Sequence, residues 1–175
     1  MDQILPPFHL LAYSTLLGAE LYQSFVMVKI AYQALPRSAF TSLQKRAFPI
    51  YFRIQSMLLV VVAATAPPRG LLSVWQTNPD WISFAVAGLT AGLNLFVFGP
   101  KTQDLMIQRV HQATRDASMN LARGVVRDET KQINRAFSRA HAMSIHLNLL
   151  TIGATLFYGW RLSRRLNFDG TRPGP

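Results

Sequence analysis

Four stretches of this chain carry almost no charge, and they constrain its fold more than any other feature. They cover residues 3–28, 54–68, 81–100 and 140–160, and Glu20 is the only charged residue within them. Burying an unpaired charge in hydrocarbon costs several kcal/mol, so a membrane-spanning helix needs about 20 residues that are nearly free of charge. The sequence therefore predicts four spans. Their expected positions are about 8–34, 48–67, 80–99 and 142–161.

The faces of these stretches favour a membrane over a soluble interior. Residues 57–66 read MLLVVVAATA and are apolar on every face of a helix, whereas an amphipathic soluble helix is polar at every third or fourth position. Charged residues make up 15% of the chain, below the ~25% typical of soluble domains. We predict an all-α integral membrane four-helix bundle that forms a single domain over 1–175. A basic soluble helical bundle and a chain with three spans are the alternatives.

The loop between the third and fourth spans, about 101–139, contains a repeating apolar pattern. The stripe recurs every three or four positions and consists of Leu105, Met106, Val110, Ala113, Ala117, Leu121 and Val125. This spacing predicts a long amphipathic helix with basic residues on its other faces. Either the helix lies on anionic lipid, or it continues from a neighbouring span and packs its stripe against the protein. Gly124 favours a break or bend, and residues 166–175 are expected to form a flexible tail.

The chain is basic, with a formal net charge of +10 and 18 Lys and Arg residues. With four alternating spans, thirteen of these lie on the side of the first and third loops and five on the side of the termini. The excess predicts that the first side is cytoplasmic or its topological equivalent. Anionic lipid headgroups are the expected partners. Nucleic acid is not, because the basic residues lack interleaved aromatic residues and are tethered to a membrane.

The segment from Leu35 to Phe52 reads LPRSAFTSLQKRAFPIYF and follows the pattern LPR-x-x-F-x-x-x-Q-x-x-x-FP-x-YF. This pattern resembles the signature of the transmembrane protein 205-like family. Three further places agree with that family in the expected order. They are Gly18, Tyr22 and Phe25 after an initial His-Leu-Leu; Pro100, Thr102 and Met106; and Phe137, His141, Ser144, Asn148 and Leu149.

The resemblance implies a small four-span membrane protein without an established enzymatic activity. Animal members are linked to cellular tolerance of platinum drugs, with a proposed role for sulfur-bearing side chains. This chain has no cysteine, and its methionines form no close pair, so a thioether relay is not supported. Glu20 is a departure, since a neutral amide is expected at that place in the family.

Polar residues inside the predicted spans are the candidates for a functional site, because such residues are costly in a membrane. Glu20, one turn from Gln23, is interpreted either as a proton or cation site or as a buried side chain that fixes helix register. We group these two residues with Gln55, Asn94, His146 and Asn148 as one candidate polar cluster. It would either admit a small polar or ionic ligand or provide hydrogen bonds between helices. No catalytic, cofactor-binding or metal-binding residues are predicted.

The remaining candidates concern lipid contacts and helix packing. We expect Pro36 and Pro49 to bracket a short connector. Headgroup contacts are expected at Arg37, Lys45, Arg46, Arg139 and His141. Gly88 and Gly92 form a GxxxG motif in the third span, for which packing inside the bundle is favoured over homodimerisation.

The function predicted from the sequence is non-enzymatic. One hypothesis is a small carrier or transport accessory linked to tolerance of toxic compounds, and the alternative is a membrane-organising or assembly subunit of a larger complex. Protein partners or homo-oligomers fit the second hypothesis. The expected location is the endomembrane system or the plasma membrane, with a mitochondrial membrane as the alternative.

Overall fold

A computed structural model of the chain describes residues 4–67, 70, 80–118 and 128–165. These residues form four long helices, and no strand occurs among them, which confirms the expected all-α class. Helix α1 covers residues 5–34, α2 covers Arg37–Ala64, α3 covers Asp80–Ser118 and α4 covers Asp128–Ser163. The predicted tail, 166–175, lies outside the described residues.

Three of the four helices, α2, α3 and α4, are long and apolar enough to cross a membrane. Helix α1 is also long, but His9, Glu20 and Gln23 lower its mean hydropathy. A helix rises about 1.5 Å per residue, so each of the three exceeds the ~30 Å thickness of the hydrocarbon core. The structure thus supports an integral membrane protein.

Burial in this protein differs from that of a protein folded in water. The side chains of Glu20 and Asn94 are completely buried, whereas Leu89 is 66% exposed and Phe96 is 77% exposed. In water such large exposed apolar side chains would be penalised, but in lipid they are not, and polar groups must find partners inside the protein. This distribution indicates that hydrocarbon surrounds the helices.

The helices contact one another in sequence order. Helix α1 packs against α2 and α4, α2 packs against α3, and α3 packs against α4 along both of its halves. All four helices contribute to one apolar core, which consists of Ala12, Tyr13, Leu16, Leu59, Val62, Ala87, Ala91, Tyr158 and Leu162. This core holds the polar side chains of the candidate site in place.

The expected connector between Pro36 and Pro49 is wrong, because it is the first part of α2. The helix begins directly after Pro36, which precedes it in an extended conformation, and continues through Pro49. Proline has no N–H, so Pro49 leaves the carbonyl of Lys45 without its usual helical partner. The side chain of Gln103 on α3 donates to that carbonyl from 3.2 Å. Sequence spacing gives no sign of this substitute partner.

Helix α3 does not end near residue 99, where the third span is predicted to end. Helix α3 runs on through Pro100 to Ser118, and a wider π-helical turn, Asn94–Phe98, comes directly before Gly99. A proline in a regular α-helix clashes with the carbonyl four residues earlier, and a wider turn relieves that clash. The first half of the predicted loop helix is therefore a continuation of α3.

The second half of the predicted loop helix, residues 128–139, is the start of α4. Residues 119–127, including Gly124 and the last two stripe residues, lie outside the described residues. The described stripe residues differ in their surroundings, since Met106 is partly buried while Val110 is 50% exposed. On the same part of α3, Thr102 and Gln112 are buried. Polar contacts hold this part of α3 to α4, and Thr130 donates to the carboxylate of Asp116 at 3.0 Å.

Candidate functional site

A cavity of about 390 Å³ lies among the four helices, towards the end of the protein where α1 ends and α2 begins. Each helix contributes to its wall. The wall includes Ser24, Phe25 and Val28 of α1; Gln44, Lys45, Phe48, Phe52 and Arg53 of α2; Asn94, Leu95, Thr102 and Met106 of α3; and His141, Ser144, Ile145, Asn148 and Leu149 of α4. A volume of this size suits a small organic molecule.

Three polar side chains in the cavity wall carry a buried atom without a hydrogen-bond partner. These atoms are Gln44 Oε1, Asn94 Oδ1 and Thr102 Oγ1. Asn94 is completely buried, and its Nδ2 donates to the carbonyl of Ser144 at 3.0 Å, which fixes the orientation of its amide. Buried polar atoms in folded proteins are nearly always hydrogen-bonded. Seven such atoms occur among the described residues, and three of them belong to the wall of this one cavity, where a polar group of a ligand can pair with them.

Two of the wall segments are π-helical. They are Tyr22–Met27 in α1, which contains Ser24 and Phe25, and Asn94–Phe98 in α3, which contains Asn94 and Leu95. A π-helical turn inserts an extra residue into a helix and changes the direction of the side chains that follow it, and such turns are frequent at functional sites. The same distortion therefore occurs on two different helices where both meet the cavity.

A series of hydrogen bonds connects the cavity wall to Glu20. Asn148 Nδ2 donates to Ser24 Oγ at 2.8 Å, and Gln55 Nε2 lies 3.3 Å from Asn148 Oδ1 and 3.0 Å from Glu20 Oε1. Glu20 is fully buried, and its second oxygen has no hydrogen-bond partner. The carboxyl group is thus out of contact with the surroundings but linked to the cavity through two amides.

Two hydroxyl groups complete this hydrogen-bond network. Tyr51 donates to Asn148 Oδ1 at 2.9 Å and lies 3.2 Å from Gln55 Nε2, while Thr155 Oγ1 lies 3.4 Å from Glu20 Oε1. Nearby, the hydroxyls of Thr90 and Thr151 are 2.7 Å apart and join α3 to α4. The network therefore links three helices, and it was only partly foreseen from the sequence.

The structure brings together three of the six polar residues that the sequence singled out, namely Glu20, Gln55 and Asn148. Asn94 lies at the same cavity but bonds to a backbone carbonyl instead. Gln23 is half-buried and joins none of the described hydrogen bonds. His146 is exposed, with its Nδ1 2.6 Å from the carbonyl of Ala142. Its absence from the cluster has a simple cause, since two residues along a helix correspond to a rotation of about 200°.

Sequence reasoning missed Ser24, Tyr51 and Thr155, although each is at helical spacing from a predicted residue. Ser24 is four residues after Glu20, Tyr51 is four before Gln55, and Thr155 is seven after Asn148. Residues at these separations share a helix face. A search for polar residues on the same face as each charged or amide side chain would have found all three.

A second polar group lies at the opposite end, and its ring nitrogens and carboxylate oxygens all have partners. Thr65 Oγ1 donates to the carbonyl of Val61 at 2.8 Å, so it accepts from His9 Nδ1 at 3.0 Å, and Tyr158 donates to His9 Nε2 at 2.7 Å. Beside them, both oxygens of buried Asp80 accept from the guanidinium groups of Arg161 and Arg165. We call these six residues the paired end, and we call the part of the protein around the cavity, with its wall and the hydrogen-bond network beside it, the cavity end.

The residues expected to contact lipid headgroups lie at the cavity end, and four of them, Arg37, Lys45, Arg46 and Arg139, are exposed. Lys45 also lines the cavity. The fifth, His141, is half-buried, stacks on Phe137 with ring centroids 5.3 Å apart and lines the cavity. Burial lowers the pKa of His141, and the nearby charge of Arg109 lowers it further. His141 is therefore placed to meet a ligand rather than the membrane surface.

The predicted packing role of Gly88 and Gly92 is wrong for contacts within the chain. A Cβ atom added to either glycine would meet nothing within 4 Å. The residues of α3 that pack inside are Ala87 and Ala91, which belong to the apolar core. Each lies one position before a glycine and therefore faces a different direction. The glycine face points outward.

Comparisons with known proteins agree with this architecture. Residues 11–111 match the family described as Domain of unknown function (DUF4149). The chain is 43% identical to Xanthocillin biosynthesis cluster protein D of Aspergillus fumigatus, over 91% of this chain and 90% of the relative. It is 28% identical to Transmembrane protein 205 of Danio rerio, over 81% and 82% of the two chains. No solved structure matches. The chain therefore belongs to the transmembrane protein 205-like family of membrane proteins that contain the DUF4149 domain.

Proposed function

We propose that this protein is a small non-enzymatic carrier, or a transport accessory, that binds an organic molecule at the cavity end and helps it across or out of a membrane. The observation that carries this proposal is the cavity of about 390 Å³ with three unpartnered polar atoms in an otherwise largely apolar wall. Such a site offers a ligand both apolar contact and a few hydrogen bonds, which is the usual composition of a small-molecule pocket.

In this proposal all four helices span the membrane. Helix α1 is included because its polar residues face inward: Glu20 and His9 are buried by α2 and α4, while Leu11 and Phe25 are exposed on its outer side. A polar residue that is satisfied within the protein adds little cost to a span. The four spans then enclose the cavity between them.

Glu20 would take up and release a proton during transport. Its carboxyl group is the only acidic group in the hydrogen-bond network that reaches the cavity wall, and amide and hydroxyl groups provide the connection. A proton on Glu20 changes the hydrogen bonds that Gln55 and then Asn148 can make. The state of the carboxyl group and the shape of the cavity wall would thus depend on each other.

The relative from Aspergillus fumigatus supports a role with small organic molecules, because its name associates it with the biosynthesis of xanthocillin. A carrier encoded beside biosynthetic enzymes would remove or store a product. The same activity would give cells tolerance of a toxic compound. We extend this to the present chain through the cavity and the identity of 43% over nearly the whole length.

A transport assay in vesicles tests the proposal. The purified chain is reconstituted into vesicles loaded with a fluorescent organic ion, either anilinonaphthalene sulfonate or ethidium, and the appearance of dye outside is followed. We expect faster release of at least one dye than from empty vesicles. Val28→Trp should abolish the increase because the indole fills the cavity. Val26→Trp is the matched control, since Val26 is exposed on the same helix and does not line the cavity.

Equal release from vesicles with and without protein would contradict the carrier function. Glu20→Gln is informative if transport occurs, since an amide keeps the hydrogen bonds but cannot titrate. Transport by this variant should be independent of pH. A pH dependence equal to that of the protein with Glu20 would exclude Glu20 as the proton site.

An assembly subunit of a larger membrane complex is the second candidate. The outward Gly88 and Gly92 face of α3 favours it, because small residues permit close approach of another helix. Extraction in mild detergent separates the two functions. A stable stoichiometric complex that contains a second protein favours the subunit, whereas a chain that purifies alone and moves dye favours the carrier.

A further inference from the structure

We infer that the ligand of the cavity end is an amphipathic organic anion: a molecule with an apolar body and one negatively charged group. The inference deepens the proposed function by naming the class of molecule, and it uses the same cavity. It rests on the charge and the chemistry of the cavity wall.

The charged residues of the wall are all of one sign. Lys45 and Arg53 line the cavity, and no Asp or Glu occurs among its described lining residues. Both cations come from α2 and are eight residues apart, which is about two helical turns or ~12 Å along the helix axis. His141 on α4 adds an imidazole ring to the same wall. A carboxylate, sulfonate or phosphate is the group that this arrangement complements.

The region around the wall is also positive. Arg109 lies 4.5 Å from the ring centroid of Phe137, and His141 stacks on the same ring. Burial lowers the pKa of Arg109, and the nearby charge of Arg37 lowers it further. The positive charges of Arg37 on α2 and Arg109 on α3 therefore lie close to this part of the wall. An anion that approaches from this side moves towards increasing positive charge.

Beyond its cations, the cavity wall offers two free acceptor oxygens, Gln44 Oε1 and Asn94 Oδ1, which suit an N–H or O–H on the body of the ligand and not its negative group. The wall also provides apolar surface, which includes Phe25, Phe48, Phe52, Leu95 and Leu149. A purely inorganic anion would leave this surface without contact. An aromatic or aliphatic body attached to the anion fills it and accounts for the composition of the whole wall.

Equilibrium binding in lipid nanodiscs tests the inference separately from transport. The probes are anilinonaphthalene sulfonate and phenylnaphthylamine, which have the same ring system with and without the negative group. Nanodiscs of zwitterionic lipid contain the full chain, and empty nanodiscs give the background. We expect the sulfonate to bind about tenfold more tightly than the uncharged amine.

Removal of the two wall cations should erase this preference. The variant Lys45→Gln/Arg53→Gln is compared with Arg46→Gln/Arg139→Gln, which removes two exposed cations that do not line the cavity. The first should bind both probes about equally, and the second should keep the tenfold preference. Equal binding of both probes by the unchanged protein, or a full preference after loss of Lys45 and Arg53, would overturn the inference.

The anion can come from a phospholipid headgroup or from a free organic acid, and a second set of nanodiscs distinguishes these sources. An anionic phospholipid that occupies the cavity should weaken sulfonate binding to the unchanged protein much more than to Lys45→Gln/Arg53→Gln. If anionic lipid weakens sulfonate binding equally in the unchanged protein and in the variant, the effect comes from surface potential alone, and the site is assigned to a free organic anion. Sulfonate binding without dye release in vesicles would support the ligand class while contradicting the carrier function.

Discussion

The two ends of this protein both bury polar side chains, but they complete their hydrogen bonds in opposite ways. At the paired end, both ring nitrogens of His9 and both oxygens of Asp80 have partners within the chain. At the cavity end, Gln44, Asn94 and Thr102 each keep one buried atom without a partner. Both ends lie in the same helices and in the same surroundings, so the difference comes from the side chains.

This difference separates a structural polar cluster from a binding site. A fully paired group stabilises one arrangement of the helices, and removal of one member leaves the others unsatisfied. An incompletely paired group beside a cavity costs stability that a ligand can restore. Changes at the paired end should therefore lower stability without altering binding, and changes at the cavity end should do the reverse.

Asp80→Asn should have the largest effect on stability. It leaves the guanidinium groups of Arg161 and Arg165 without their shared carboxylate, which should lower the free energy of unfolding by roughly 3 kcal/mol. Unfolding in detergent micelles measures this. Asp128→Asn is the control, because its pair with Lys131 is exposed and should be worth less than ~0.5 kcal/mol. Equal losses in both variants would contradict the distinction.

Gly159→Ala tests how tightly the paired end is packed. A methyl group at this position would overlap the hydroxyl end of Tyr13, whose ring packs against Tyr158, so we expect a loss of about 2 kcal/mol. Gly153→Ala on the same helix meets nothing within 4 Å and should be neutral or stabilise by up to ~1 kcal/mol. Thermal unfolding of the two variants gives the comparison. A neutral Gly159→Ala would show that this end has room to adjust.

Tyr158→Phe and Tyr51→Phe remove one hydroxyl from each end. At the paired end the change deprives His9 Nε2 of its donor, and we expect a loss of about 1–2 kcal/mol. At the cavity end Asn148 Oδ1 still lies near Gln55, so the loss should stay below ~1 kcal/mol. Chemical denaturation of both variants checks the order. A larger loss from Tyr51→Phe would reverse the assignment of the two ends.

How far the sequence predicted these two ends depended on how local the signal was. The all-α class and the apolar helices followed from runs of uncharged residues, and counting residues inward from the same side of the membrane was enough to place Gln55 near Asn148. The pairing of Asp80 with Arg161 joins residues 81 positions apart, and nothing in the local sequence reveals it. The helical continuation through Pro49 was missed for the same reason, because Gln103 satisfies the free carbonyl from another helix.

The smallest expected effect is a pH dependence of anion binding at the cavity end. Burial and Arg109 lower the pKa of His141 below its usual 6.5, so its ring is neutral at pH 7. An anion favours the protonated ring, and affinity for anilinonaphthalene sulfonate should therefore rise about twofold to fivefold as the pH falls through that pKa. Binding is measured in Glu20→Gln protein, so that Glu20 does not contribute.

His141→Gln should remove this pH dependence. His111→Gln is the matched control, since His111 is exposed on α3 and does not line the cavity. Affinity that rises equally in both variants would show that His141 does not face the anion.

The most direct test measures stability and probe binding together for one variant from each end, Asn94→Leu and Asp80→Asn. Asn94→Leu should keep the free energy of unfolding within about 1 kcal/mol and weaken sulfonate binding at least tenfold, because it removes the free amide oxygen that can accept from the N–H of the probe. Asp80→Asn should lose stability and bind the probe normally while folded. If both variants lose stability and binding in the same proportion, the two ends do not have separate roles.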